Sequence, residues 1–427
     1  MNIIVKKSII SFFLKIAGAL SGLLMTTLVT RSLTLESSGS FFLFFGILSV
    51  FLIFCSQGMQ IGYVRYIAKL FSRDNWPKIN SLFTVGLRNV FVLSVSISIT
   101  TFLVSDFLST HLLGNEELSS TIKIFSISLP FFTISKLIGS VLQGLGKTSW
   151  TVFLHNISVP IIFSIFVFNG YLRSIDFSLY TFSIYFLSSS IFTFIISIFL
   201  WLKNRKKTDK IDTTENHFFL NTTKSLWVLS SATVLMEWSG VLLTGIFSNS
   251  SDVAIFSVAN RVAMLTSLIL ISINLIAAPR YSSYFHNNEI SKMRSTFYLC
   301  SKIIITLAFP ILVFIILFSD QIMSFFGDEY YQGAIILKIL IVGQFITALC
   351  GSVEEILNMT GHENDMRNIR IFSLLIAFSF GSFLISLYGA LGAAISTTLA
   401  LSVQNLLAAY FVKIRLGWNP LKFWIIN

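Results

Sequence analysis

About twelve apolar runs, separated by short polar connections, make up almost the whole chain. They lie near 9–30, 41–62, 82–105, 121–142, 150–170 and 178–202, then near 225–247, 253–276, 297–318, 335–358, 369–387 and 391–412. A run of about 20 apolar residues spans the hydrocarbon layer as one helix, so the pattern predicts an all-α polytopic membrane protein. Lys6 and Lys7 precede the first run as they would in a signal peptide. That run reaches Thr30 with no small-x-small cleavage site, so it is expected to be a retained first helix. The polar stretch 203–224 carries Lys203, Arg205, Lys206, Lys207 and Lys210. It predicts a cytoplasmic linker between an N-lobe at 1–202 and a C-lobe at 225–427, each of six helices.

The two halves also repeat each other at an offset of 215 residues. Arg65-Tyr66 returns as Arg280-Tyr281, the acidic Asp74 as Glu289, Gly146 as Gly361, and Ile122-Lys123-Ile124 as Leu337-Lys338-Ile339. Four matches at one offset argue for a duplicated six-helix unit. Six is even, so both copies cross the membrane in the same sense. The expected result is a pseudo-two-fold axis along the membrane normal with a central cavity between the lobes.

Composition agrees with a lipid environment: 54% of the residues are hydrophobic and only 11% charged. The 44 phenylalanines exceed what a soluble domain could hide and are expected on lipid-facing surfaces. The net charge of +11 does not point to nucleic acid, because the cations fall in short loops and not in one patch. It reads as topology. With the N-terminus inside, one set of loops collects Arg65, Lys69, Arg73, Lys78, Lys147, Arg280, Lys292, Arg294, Arg367, Arg370, Lys413, Arg415 and Lys422. The other set carries Glu36, Asp106, Glu116, Glu117, Asp176, Asp252, Asp320, Asp328 and Glu329, with little cation beyond Arg31 and Arg173. Both termini are therefore expected to be cytoplasmic. Arg65, Lys69 and Arg73, four residues apart, predict one face of a short interfacial helix.

Signals for chemistry are few. Cys55, Cys300 and Cys350 sit in apolar runs without metal-ligand spacing, and the five histidines form no ligand pair, so no metal or other cofactor is implied. Gly146-Lys147-Thr148 matches the end of a phosphate-binding loop, but Val141 stands where its first glycine belongs, so nucleotide binding is rejected. The expectation is a transporter and not an enzyme.

The informative residues are charges inside the runs: Lys15, Lys136, Glu237, Arg261, Lys338, Glu354 and Glu355, with Lys123 near a helix end. A charge at the bilayer centre costs roughly 3 kcal/mol or more, so each needs a cavity, a partner or a route to the headgroups. Lys123 and Lys338 lie near helix starts, where a long side chain reaches the interface, and mark the cavity mouth. Lys15 and Arg261 lie about a third of the way along their helices and, with Lys136, are expected to line the cavity. Glu354 and Glu355 read as interfacial. Glu237, near mid-helix, reads equally as a protonatable coupling site or as a partner of Arg261. Five of the eight charges are cations, so the expected cargo is an anion, with paired phosphates the leading candidate. Moving an anion out of an inside-negative cell gains roughly 2.3 kcal/mol per charge per 100 mV, so the absence of ATP machinery is no objection.

Segments in three regions of the second half carry a family resemblance. Leu243 to Phe247, Asp252 to Arg261 and Ala278-Pro279 resemble the seventh and eighth helices of polysaccharide flippases in the multidrug/oligosaccharidyl-lipid/polysaccharide (MOP) superfamily. Asn358 to Glu363 and Tyr388 to Ala394 resemble the segments after helix ten and between helices eleven and twelve. The resemblance is nearest to O-antigen (Wzx-type) flippases. It implies a V-shaped, MATE-like transporter of two pseudo-symmetric lobes with alternating access, resident in the bacterial inner membrane. It implies as partners an undecaprenyl-diphosphate-linked glycan, membrane lipid and the polysaccharide polymerase and chain-length machinery, and it leans towards a monomer. Cations on helices one and eight line the cavity in that family, which by position implies Lys15 and Arg261. The alternatives are an ion-coupled multidrug exporter, disfavoured because cationic drugs want carboxylates, and a membrane O-unit polymerase, disfavoured by the short outward loops and the repeat. A scaffold without cargo would leave the buried cations unexplained.

Overall fold

The computed structural model describes residues 3–112, 118–206, 208, 212–214 and 216–423. Glu116, Glu117, Lys207 and Lys210 lie outside the described residues. The described chain is helical, with eleven helices long and apolar enough to cross a membrane, or twelve if one bent pair counts as a span. In chain order these are α1 (Ile3–Ser32), α2 (Leu35–Ser56), the short α3 (Met59–Phe71), α4 (Trp76–Leu103), α5 (Leu118–Gly144), α6 (Thr148–Leu172) and α7 (Leu179–Asn204). The second series is α8 (Asn216–Phe247), α9 (Ser250–Met264) and α10 (Ser267–His286), bent by 40° at their junction, and α11 (Ile290–Leu317). It continues with α12 (Ala334–Cys350), the short α13 (Val353–Met359), α14 (Glu363–Tyr388) and α15 (Ala390–Leu416).

Helix boundaries depart from the hydropathy runs where glycine or a polar residue interrupts them. The second run was expected to extend to 62, but it stops at Gln57, where Gln57 (φ 45°) and Gly58 (φ 72°) both turn left-handed and start α3. A Cβ at Gly58 would lie 2.3 Å from the Thr223 carbonyl oxygen, so only glycine fits against α8 here. The tenth run likewise ends early, at Gly351 (φ 67°), and resumes as α13. The polar stretch expected as linker up to 224 is helical from Asn216 onward.

The 215-residue period reappears in the backbone. Helices α1 and α8 end at Ser32 and Phe247, and α3 and α10 end at Phe71 and His286. The N-cap oxygens that start α2 and α9 belong to Thr34 and Asn249. Gly146 (φ 74°) and Gly361 (φ 80°) make the same left-handed turn. The glycine at the end of the would-be phosphate loop is thus a helix terminator repeated in both halves.

The chain divides into two compact units, Met1–Val234 and Leu235–Asn427. In the first, α5 is the central post, packed against α2, α3, α4 and α7. Its interior is aromatic: Phe125 stacks on Phe186 at 5.1 Å, and Phe41 meets Phe163 at 5.6 Å and Phe125 at 5.6 Å. Phenylalanine was expected on lipid-facing surfaces, and Phe91, Phe168 and Phe199 are indeed exposed, but much of it builds this core instead. A second cluster joins Tyr63 and Ile67 of α3 to Trp76, Phe83 and Trp201, with Phe219 stacked on Tyr63 at 5.2 Å. The face opposite Tyr63 and Ile67 leaves Arg65 and Lys69 exposed, as their spacing predicted, but Arg73, expected on the same face, lies in the turn beyond the helix end at Phe71. In the second unit α15 packs against α12, α13 and α14, and small residues set the approach, as where Gly343 faces Thr398.

Candidate functional site

In the first unit, Lys136 is held at a defect in α6. Pro160 has no N–H, so the carbonyl of Asn156 loses its helical partner, and the turn Phe153–Ile157 widens to a π-helical one. Freed carbonyls are costly inside a membrane, and side chains from two neighbouring helices satisfy them. Ser21 of α1 donates to the Asn156 carbonyl at 3.2 Å. Lys136 of α5 donates to the carbonyls of Leu154, at 3.3 Å, and His155. The His155 ring in turn meets the Lys136 carbonyl through Nε2 at 2.8 Å. Gly139 makes this possible: a Cβ there would fall 2.6 Å from the imidazole. The ammonium of Lys136 also lies 4.8 Å from the Phe132 ring centroid.

Lys15 stands one turn before Gly18, on the same face of α1, and Gly18 packs directly against Asn156. The structure therefore places both first-unit candidates, Lys15 and Lys136, beside the π-helical turn, each half-buried. The spans of this unit carry a single carboxylate, Glu36, exposed in the first turn of α2. The unit thus presents positive charge to the membrane interior with no acid to neutralise it.

In the second unit, Glu237 on α8 is exposed and Arg261 on α9 half-buried. Their charges interact electrostatically without closing an ion pair within 4.0 Å. Glu354 of α13 is bound more firmly, with Arg370 of α14 donating at 3.1 Å and Gln404 of α15 at 2.5 Å. Arg370 was expected in a loop; it lies in α14 because that helix begins at Glu363, earlier than the apolar run.

The cavity-mouth candidates differ. Lys123, in the second turn of α5, is engaged with Asp106 at 3.0 Å. Hydrogen bonds from Ser119 and then from Lys123 hold the Asp106 carboxyl below the usual carboxylate range. Lys338, the repeat equivalent of Lys123, is half-buried in the second turn of α12. A lysine at the same register in both halves belongs to the shared scaffold. The other charges are not shared, since 215 residues separate Lys15 from Ser230, Lys136 from Gly351, Gly22 from Glu237 and Gly46 from Arg261.

Sequence reasoning missed His155, Arg370 and Gln404 as partners, and it passed over Arg88, exposed on α4, and Lys302, half-buried on α11. A signal for the first existed: His155 and Asn156 stand five and four residues before a proline inside an apolar run, the pattern of a broken helix. No local pattern announces Arg370 or Gln404, whose partner is 16 or 50 residues away.

The family model for polysaccharide biosynthesis proteins matches residues 4–285, and that for MatE matches 228–383. The probable low-salt glycan biosynthesis flippase Agl15 of Haloferax volcanii is 27% identical over 180 residues, which are 41% of this chain and 38% of that protein. The match thus spans well under half the length of this relative. Among solved structures, an inward-facing multidrug resistance MATE family transporter of the MOP superfamily superimposes with a TM-score of 0.81 at 16% identity, covering 96% of this chain and 98% of that one. The lipid II flippase MurJ, in an inward closed conformation, gives 0.72 at 16% identity over 98% and 90%. With a family model covering well over half its length, this chain belongs to the polysaccharide biosynthesis protein family.

Proposed function

We propose that this protein is a flippase that carries undecaprenyl-diphosphate-linked oligosaccharide repeat units, of O-antigen or a similar surface polysaccharide, across the bacterial inner membrane. The observation that carries this reading is the charge of the first unit: Lys136 holds the broken helix, Lys15 lies one turn from the Gly18 contact of α1 with that helix, and the one carboxylate of the unit's spans is exposed. Such a surround favours an anion, and a diphosphate, with several charged oxygens, can engage more than one cation. Arg261 on α9 is assigned the same task in the second unit, with Glu237 as its electrostatic partner or as a coupling site. Two six-helix repeats, 1–202 and 225–427, joined by 203–224 and with both termini cytoplasmic, would rock to move the headgroup from the cytoplasmic to the periplasmic face. Lys123 and Lys338 would stand at the mouth of the path, and the protein would work as a monomer that hands its cargo to the polymerase and chain-length machinery. The glycan-flippase name of the relative from Haloferax volcanii and the lipid II flippase fold are in keeping with this.

Deletion of the gene tests the reading. Complete single repeat units on the lipid carrier are expected to accumulate on the cytoplasmic face while surface glycan disappears, and Arg261→Ala at equal expression is expected to reproduce that loss. Single units that reach the outer face without being joined into chains would identify a polymerase instead. A second reading, an ion-coupled multidrug exporter, draws on the MatE match at 228–383 and on the exposed Glu237 of α8. It predicts that the deletion sensitises cells to cationic drugs while leaving surface glycan intact.

A further inference from the structure

The broken helix α6 has no counterpart in the second half, although the scaffold around it does. At the register of Pro160 the second half has Leu375, and α14 runs uninterrupted from Glu363 to Tyr388. The crossing of the two helices is kept: His155 packs on Gly139 in the first unit, and at the same register Arg370 binds Glu354 in the second. In the second half the crossing is closed by a cation and a carboxylate, which neutralise each other. The first half has Lys136 and His155 with no carboxylate, and the ammonium is held by neutral carbonyls. A break confined to one repeat, held by a cation without a counter-ion, is a device added to the duplicated scaffold.

We infer that Lys136 is the pin of a hinge in α6, and that an anionic diphosphate opens it by drawing the ammonium off the carbonyls of Leu154 and His155. This rests on the flippase reading and adds to it the step at which cargo binding becomes motion. The carbonyls are neutral acceptors, whereas a phosphate oxygen adds the attraction of opposite charges away from bulk water, so it outcompetes a backbone carbonyl for the same ammonium. The four-carbon stem lets Lys136 move without unfolding α5, and its half-buried position leaves it within reach. Once released, the Leu154 carbonyl keeps only the hydroxyl of Ser158 at 3.3 Å among its side-chain donors, while Asn156 stays tied to α1 through Ser21. The bend of α6 is then free to change on the α5 side while its α1 side stays anchored.

Hydrogen–deuterium exchange of the full-length protein in detergent tests the hinge, with farnesyl diphosphate as probe and farnesol as the uncharged control. Backbone amides of 153–161 are expected to be protected in the wild type and to exchange about tenfold to a hundredfold faster with farnesyl diphosphate, the equivalent of losing one charge-assisted hydrogen bond. Farnesol should leave them unchanged. Lys136→Gln should exchange fast without ligand and ignore the probe, whereas Lys136→Arg, which keeps the cation and its donors, should respond as the wild type does. If farnesyl diphosphate raises thermal stability yet exchange at 153–161 stays constant, the hinge is wrong and the flippase reading stands. If the probe neither binds nor alters exchange, the anion reading of the first unit falls and the hinge with it.

Discussion

Substitution of Glu354 by glutamine removes the carboxylate that closes the helix crossing of the second unit. Its two oxygens accept from Arg370 at 3.1 Å and from Gln404 at 2.5 Å, and the side chains of Arg370 and Glu354 are 19% and 28% exposed. Exposed pairs contribute about 0–1 kcal/mol and fully buried ones cost about 3–5 kcal/mol when one partner is removed. This pair is partly solvated, so Glu354→Gln should cost about 2 kcal/mol, chiefly because it takes the Glu354 charge away from the Arg370 guanidinium. For a unit of this size that lowers the melting temperature by about 4–8 °C. Arg370→Gln should cost less, since Glu354 keeps Gln404 and can take up a proton. The double variant should recover part of the loss, with a coupling of about 1 kcal/mol or more. Thermal melts of the purified protein in one detergent, followed by tryptophan emission, supply all four corners of the cycle. Additivity within about 0.5 kcal/mol would refute the reasoning, because it would mean that the two side chains do not share a stabilising interaction. Surface glycan display separates the roles further: a scaffold pair recovers display with stability in the double variant, whereas a transport role for Glu354 leaves display lost.

Other positions give sharper single outcomes. A Cβ at Gly86 would sit 1.8 Å from the Tyr63 hydroxyl, which is buried and donates to Leu82 at 3.0 Å. Gly86→Ala should therefore destabilise by about 2–4 kcal/mol, and Tyr63→Phe in the same chain should restore part of it, measured by the same melts. Asp74 is held below the usual carboxylate range by the ammonium of Lys206 and then by the indole of Trp76. A depressed carboxyl contributes stability above its unfolded value near about 4 and loses it as pH falls through the lower folded value, so the tether to Lys206 is intact at neutral pH. Tryptophan emission should show an acid transition below that unfolded value, absent in Asp74→Asn; the same transition in the variant would assign it elsewhere. Phe186, stacked on Phe125 at 5.1 Å and 0% exposed, should cost about 3–5 kcal/mol when truncated to alanine. A loss below 1 kcal/mol would show that the aromatic cluster is not cooperative.

The internal repeat distinguishes scaffold from function without any second sequence. Gly146 and Gly361 make the same left-handed turn because each ends a helix at the same place in its half. Thr34 and Asn249 cap for the same reason. Lys15, Lys136, Glu237 and Arg261 each face a neutral residue at the matching register, so none is required by the helical unit itself. The costliest side chains for a membrane segment are therefore the ones that vary between the halves.

The sequence by itself determined the helical membrane class, the number of spans, the duplication and the candidate charges. Those properties are local or periodic: an apolar run of sufficient length has no alternative to a helix in lipid, and a duplicated sequence keeps its offset. Tertiary structure alone decided where the runs break and what each charge touches. The end of α2 at Gln57 depends on α8 lying against Gly58, and the break between α12 and α13 on Ser301 lying against Gly351. Lys136 and Lys123 look alike in sequence, as two lysines on one helix, yet one holds the carbonyls of a broken helix and the other an acid at the surface. Side-chain partners separated by 16 to 50 residues are chosen by packing, and packing is a property of the folded unit and not of any window along the chain.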